Sequence, residues 1–228
     1  MFSKVRRRLS SANKLPDLEV PVVKRIQLLS QIYDMTKSLL HDTREVIKMF
    51  DQEEGTLKNS TEAYASTLRV LGESVKVSNP EYTEFLSKQA EIYDELGHLQ
   101  RRLQYELSVR VVTPLSGWLH ADYARMNFEL KRMYEKKTDY DSKTNEVARN
   151  PQDAGLILQQ DLCRREYERQ MEITKLELLR LSGIRNEHAK ILSQFAFAWR
   201  EYTNAAKKLF EELDSSAAPS KMSKSSLK

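Results

Sequence analysis

Six prolines, at positions 16, 21, 80, 114, 151 and 219, leave four long stretches of this 228-residue chain with little to stop a helix. Proline costs roughly 3 kcal/mol inside a helix, so its placement marks where helices end. The open stretches, 22–79, 81–113, 115–150 and 152–218, hold only six glycines. Within them apolar residues recur at alternating four- and three-residue steps. In the first stretch Val22, Ile26, Leu29, Tyr33, Leu40, Ile47, Phe50, Leu57, Tyr64, Leu68 and Leu71 fall on one ladder. Thr36, Thr43, Glu54 and Thr61 fill its other rungs. A 3.5-residue period marks long helices wound around one another. The expected fold is all-α, an elongated three-helix antiparallel coiled coil.

The first helix is expected from Val22 to about Gly72, with a second apolar row of Ile32, Leu39, Val46 and Met49 beside the first. A helix this apolar needs contacts on more than one side. The second starts at Asn79-Pro80, an N-cap followed by a good first helical residue. Its ladder is Tyr82, Phe85, Ile92, Leu96, Leu99 and Leu103. Past Pro114 the ladder resumes in a shifted phase: Leu119, Tyr123, Met126, Leu130, Met133, Tyr140 and Val147. No polar turn cluster surrounds the proline, so one bent helix fits better than two separate ones. Residues 80–149 would then span roughly 100 Å. Arg149 to Gly155 reads as a turn. A third helix follows, its ladder running through Met171, Leu178, Leu181, Leu192, Phe195, Trp199, Tyr202, Leu209 and Leu213. A monomer of this width would expose much apolar surface, so a homodimer is expected.

Charge is uneven. Residues 1–25 carry seven basic and two acidic side chains, and 215–228 add three lysines, so 26–214 is left with a net charge of −4. Basic ends on a mildly acidic rod favour an anionic partner. The Ser- and Lys-rich tail has too few apolar residues to fold. The division expected is a basic amphipathic segment 1–14, a helical domain 15–214 and a disordered basic tail 215–228. One cysteine, Cys163, cannot form an intramolecular disulfide, which points to a reducing, cytoplasmic setting. No apolar run is long enough to span a bilayer, and the start lacks a signal peptide's apolar core.

The leader is the sharpest local feature. On a helical projection Met1, Phe2, Val5, Leu9 and Ala12 share one arc, and Lys4, Arg6, Arg7, Arg8 and Lys14 occupy the opposite one. A helix so divided lies in a bilayer interface, its cations near lipid phosphates. The alternative is an unstructured start or a short nuclear-import signal. Ser10 follows Arg7-Arg8-Leu9, a spacing that basophilic kinases accept. A phosphate there would offset about two of the cations.

Three long heptad helices, a proline within the second and a basic amphipathic leader together resemble the BAR domain family. Val112-Thr113-Pro114-Leu115 followed by Met126–Lys143 (MNFELKRMYEKKTDYDSK) is similar to the middle of a BAR second helix. The resemblance covers roughly 20–214. It implies a crescent-shaped antiparallel homodimer that senses or generates membrane curvature, peripherally associated with anionic phospholipid membranes. Arfaptin-like and sorting-nexin-like members share the scaffold, and some bind small GTPases.

Under that resemblance the distal half of the second helix reaches the membrane side. There Arg125, Arg132, Lys136 and Lys143 fall within about 40° of one another. Arg149, Arg164 and Arg165 flank the following turn, and Arg169 lies one helical turn further in. Residues 121–149 hold seven basic and six acidic side chains, and Asp139 sits inside the stripe. A solvated face laced with ion pairs is the competing reading.

An enzyme is poorly supported. The histidines 41, 98, 120 and 188 are scattered, and neither a phosphate-binding glycine loop nor a metal or cofactor motif is present. Trp118 and Trp199 read as core or interface residues. The rival function is a coiled-coil scaffold for another protein, such as a small GTPase or other trafficking protein, which the −4 rod favours. Nucleic acid is disfavoured, because no aromatic residues interleave the basic ones of Lys4–Arg8.

Overall fold

The computed structural model describes residues 18–50 and 58–217. Their regular elements are all helical: α1 Val20–Lys48, α2 Ser60–Val75, α3 Pro80–Leu107, α4 Thr113–Trp118, α5 Ala124–Arg149, α6 Ala154–Leu179 and α7 Leu181–Ala217. Two π-helical turns, Ser108–Val112 and Leu119–Tyr123, join α3 to α4 and α4 to α5. The residues from Pro80 to Arg149 thus form one continuous helical path through Pro114, as expected.

The phase shift past Pro114 has its cause here. Proline lacks an N–H, and its ring clashes with the carbonyl four residues back. A wider turn relieves the clash. The Thr113 N–H reaches back to the Ser108 carbonyl, and the Thr113 hydroxyl donates to the same oxygen at 2.9 Å. Each π turn adds a residue to the register, which rotates the apolar row beyond it.

The first and third helices are each divided, contrary to expectation. α1 ends at Lys48, and α2 starts anew with its own cap. The Asn59 side chain accepts from the Glu62 N–H at 2.9 Å, and Glu62 accepts from the Asn59 N–H at 3.0 Å. This reciprocal capping box begins a helix rather than continuing one. The third helix breaks at Arg180, where the Gly183 N–H donates to the Arg180 carbonyl at 3.1 Å.

The described chain divides into two compact units. The first comprises residues up to 40 and 114–190. Its core joins Leu18, Val22, Ile26 and Leu29 of the N-terminal segment to Trp118, Met126, Leu130 and Met133, and to Leu178, Leu181 and Ile184. The ladder rungs Val22, Ile26, Leu29, Met126, Leu130, Met133, Leu178 and Leu181 are among these buried residues. Thr36 is fully buried on a ladder rung, its hydroxyl donating to the Ile32 carbonyl at 2.7 Å. Tyr33 stacks on Tyr123 with centroids 4.2 Å apart, and burial pushes the Tyr123 phenol up to about 12. Between α5 and α6 the contact is polar. Gln170 donates to the Glu129 carboxylate at 2.7 Å, and buried Thr174 to the Glu129 carbonyl at 3.2 Å. The Trp118 indole is 95 % buried against the edge of His188, so its core assignment holds.

The second unit comprises 41–113 and 191 onward. Here α2 lies against α3 through small residues. Ala65 and Ala90 are fully buried, with Leu68 and Leu86 beside them. A Cβ on Gly72 would meet Leu86 Cβ at 3.6 Å, so the helices approach closely. The rungs expected at Tyr64, Leu71, Tyr82 and Phe85 are exposed instead, as is Leu192 of α7. Phe50, Trp199 and Tyr202 form an aromatic cluster with centroids 5.8–6.2 Å apart.

Candidate membrane-binding surface

α5 and α6 carry the basic side chains of the first unit that the sequence singles out. α5 begins without a side-chain cap, because the helical path simply runs on from the π turn before it. It ends at Arg149, where the Asn150 N–H returns to the Glu146 and Val147 carbonyls. Pro151 follows, and α6 opens on Asp153, whose carboxylate accepts from the Gly155 and Leu156 N–H groups at 2.8 and 3.1 Å. An acidic cap complements the positive end of the helix dipole. Arg149 is thus placed beside the turn, while Arg164 and Arg165 stand about three turns into α6.

Most of the charge on these basic residues is matched within the protein. Arg125 meets Asp122 and Glu177, each at 3.0 Å. Lys136 crosses to Glu166 of α6 at 2.5 Å, and Lys143 pairs with Glu146 at 2.7 Å. Asp161 receives both Arg164 and Arg165 at 2.7 Å. Arg132 lies over the Phe128 ring, its Cζ 5.7 Å from the centroid. Arg149 is exposed at the end of α5.

These contacts fix protonation states. The hydrogen bond from Lys136 to Glu166, with their mutual attraction, raises the lysine and lowers the glutamate. Lys143 is raised and Glu146 lowered by their own bond. The Arg164 bond holds Asp161 below the usual carboxylate range. All these groups are charged at neutral pH. Exposed pairs of this kind are weak and yield to competing ions, so an anionic surface could displace the carboxylates.

Two neighbours escape the sequence reading. Lys131 is exposed beside Arg132, and Phe128 is 55 % exposed in the same turn. A ladder search assigns apolar residues to the core and passes over a phenylalanine that points outward. The leader residues Met1, Phe2, Lys4, Val5, Arg6, Arg7, Arg8, Leu9 and Ser10 lie outside the described residues, as does most of the tail. No helix among the described residues is long and apolar enough to cross a membrane.

The chain is similar to endophilin-B1. The protein from Gallus gallus is 28 % identical over 124 residues, and that from Homo sapiens 27 % identical over 128. In each case 53 % of this chain and 34 % of the relative are covered. The chain therefore matches about a third of the length of these curated relatives. The pattern of the BAR domain covers residues 23–218, most of the chain and nearly all of the described helices. By that match the chain belongs to the BAR domain family.

Proposed function

We propose that this protein is a peripheral membrane protein that binds anionic phospholipid bilayers as a homodimer and senses or generates their curvature. The observation that carries the reading is the match to the BAR domain across 23–218, a family of curvature-sensing and curvature-generating scaffolds. The row Arg125, Arg132, Lys136 and Lys143, with Arg149, Arg164 and Arg165, supplies the cations. The leader 1–14 supplies an amphipathic element at the interface. Its role is that of a scaffold and involves no catalysis.

Co-sedimentation with phosphatidylserine-containing vesicles, against phosphatidylcholine alone, tests the reading. The intact chain should sediment with the former and lose binding as salt rises, since exposed charges are screened over about 8 Å at physiological ionic strength. Removing residues 1–14 should weaken binding without abolishing it. Equal sedimentation with both vesicle types would refute an anionic preference.

A second reading has one specific observation in its favour. Arg125, Lys136, Lys143, Arg164 and Arg165 all carry carboxylate partners, which lowers the field they present. A scaffold for another protein, such as a small GTPase, tolerates that neutralisation better than a strong membrane binder does. Absence of vesicle binding would favour it.

A further inference from the structure

Phe128 is the one large apolar side chain prominently exposed among the described residues of α5. It stands one turn from three cations: Arg125 three residues before it, Lys131 and Arg132 three and four after. These cations are not equivalent. Arg125 is held by Asp122 and Glu177. Among the described residues neither Lys131 nor Arg132 makes an ion pair, and Glu135, exposed one turn on, pairs with neither. What Arg132 does touch is the Phe128 ring.

An exposed ring beside two unmatched cations needs a surface offering hydrocarbon and anionic oxygen within a few ångströms of each other. The interface of an anionic bilayer has that layering, and aromatic rings concentrate there. The guanidinium fork of Arg132 suits a phosphate, and the Lys131 ammonium can take a second one. A protein partner would have to pair a carboxylate with an apolar pocket at matching spacing. The row continuing through Lys136 and Lys143 extends the charge along α5 beyond one such contact, which favours the broad surface.

We propose that Phe128 enters the bilayer interface while Lys131 and Arg132 hold lipid phosphates, making this turn of α5 an insertion element separate from the leader. The inference rests on the membrane-binding reading above and adds to it a residue and a mode of contact.

The test uses the full chain carrying Phe128→Trp, with vesicles of equal parts phosphatidylserine and phosphatidylcholine, the latter brominated along its acyl chains. Wild type, whose Trp118 is buried and Trp199 half-buried, is the blank. On binding, the variant's extra emission should shift to the blue and be quenched by bromine. Phe128→Ala should weaken binding about fivefold, as expected for removing a half-buried ring from the interface, with unchanged helicity. Phe128→Leu should recover most of the loss. If the variants sediment with vesicles as wild type does and the added tryptophan stays unquenched, insertion is overturned, the membrane reading stands and a protein partner becomes the better occupant. If no form binds these vesicles, both fall.

Discussion

The Asn59 side-chain amide donates to the Gly97 carbonyl at 3.2 Å, tying the start of α2 to the middle of α3. Gly97 is buried there because any side chain would collide with the cap. A Cβ at this position would lie 2.3 Å from Glu62 Cγ and 3.2 Å from Asn59 Oδ1. Glu62 cannot swing aside freely, since Arg101 and the Asn59 N–H hold its carboxylate. Gly97→Ala gains up to about 1 kcal/mol in helix propensity but forces overpacking that costs about 1–3 kcal/mol. The clash should win, lowering the urea midpoint. Gly117→Ala is the control, because nothing lies within 4 Å of its Cβ position. It should raise the midpoint, by up to about 1 kcal/mol in stability.

Glu62 also sets a pH dependence. Burial pushes its carboxyl up, but the Arg101 bond and the Asn59 N–H outweigh burial and hold it below the usual value. A group depressed in the folded state stabilises above its unfolded pKa, about 4.3. That stability is lost as pH falls through the folded value. Thermal unfolding of wild type and Glu62→Gln should therefore differ at pH 7, with the gap closing towards pH 3. A gap unchanged by acid would mean that the charge on Glu62 contributes nothing.

Lys136 and Glu166 compete with any anionic surface for each other. Glu166→Gln removes the carboxylate that holds Lys136 and should strengthen sedimentation with phosphatidylserine vesicles. Lys136→Glu with Lys143→Glu should weaken it. Both changes should shrink as salt rises. Unaltered binding in both would leave this stretch of α5 facing solvent.

Much of the first unit was legible in the sequence. The rungs from Val22 to Leu40 and from Met126 to Met133 are the ones buried, because a helix with one partner face writes that face into its spacing. The breaks after Lys48 and at Arg180 were missed for a physical reason. A heptad ladder continues across a short interruption, so periodicity alone cannot reveal it. Asn59-x-x-Glu62 was the available signal for the first break. Small-residue packing at Ala65, Gly72 and Ala90 was also hidden, because a ladder of large apolar residues ignores glycine and alanine. Cation positions could be read along α5, but the partners could not, since Glu166 lies thirty residues away from Lys136.

Pro114 stands between Val111 and Leu115, each about 1 % exposed. The Thr113 hydroxyl further secures the wide turn through the Ser108 carbonyl. Pro114→Ala supplies an N–H that could restore an ordinary α turn, but doing so would rotate one buried row against its packing. The π turn should persist. Hydrogen exchange around residues 108–118 should then stay close to wild type, with small-angle scattering unchanged. A changed scattering profile would mean that the proline itself holds the wide turn.

In the second unit the heptad rungs Tyr64, Leu71, Tyr82 and Phe85 stand outside the protomer, 50, 41, 40 and 45 % exposed. Val70 at 71 % and Phe210 at 38 % are also exposed in this unit. Single exposed apolar residues need no partner, but large ones that fall on a heptad ladder and stay uncovered mark a candidate contact surface. Sequence periodicity assigns these four rungs to a helix–helix contact, and α2 and α3 satisfy theirs through Ala65, Leu68, Leu86 and Ala90 instead. A second copy of the chain offers the same residues and suits the antiparallel pairing that the BAR resemblance implies. Burying apolar area contributes about 25 cal/mol per Å², so placing a charge at its centre should be costly. Leu71→Glu combined with Phe85→Glu should give a monomer in sedimentation equilibrium at micromolar concentration, where wild type should be a dimer, while far-ultraviolet circular dichroism stays helical. Lys88→Glu on the same helix, an exposed residue paired with Glu84 at 2.9 Å, serves as the charge control and should leave the dimer intact. A wild-type monomer, or a double variant that remains dimeric, would move the self-contact away from α2 and α3.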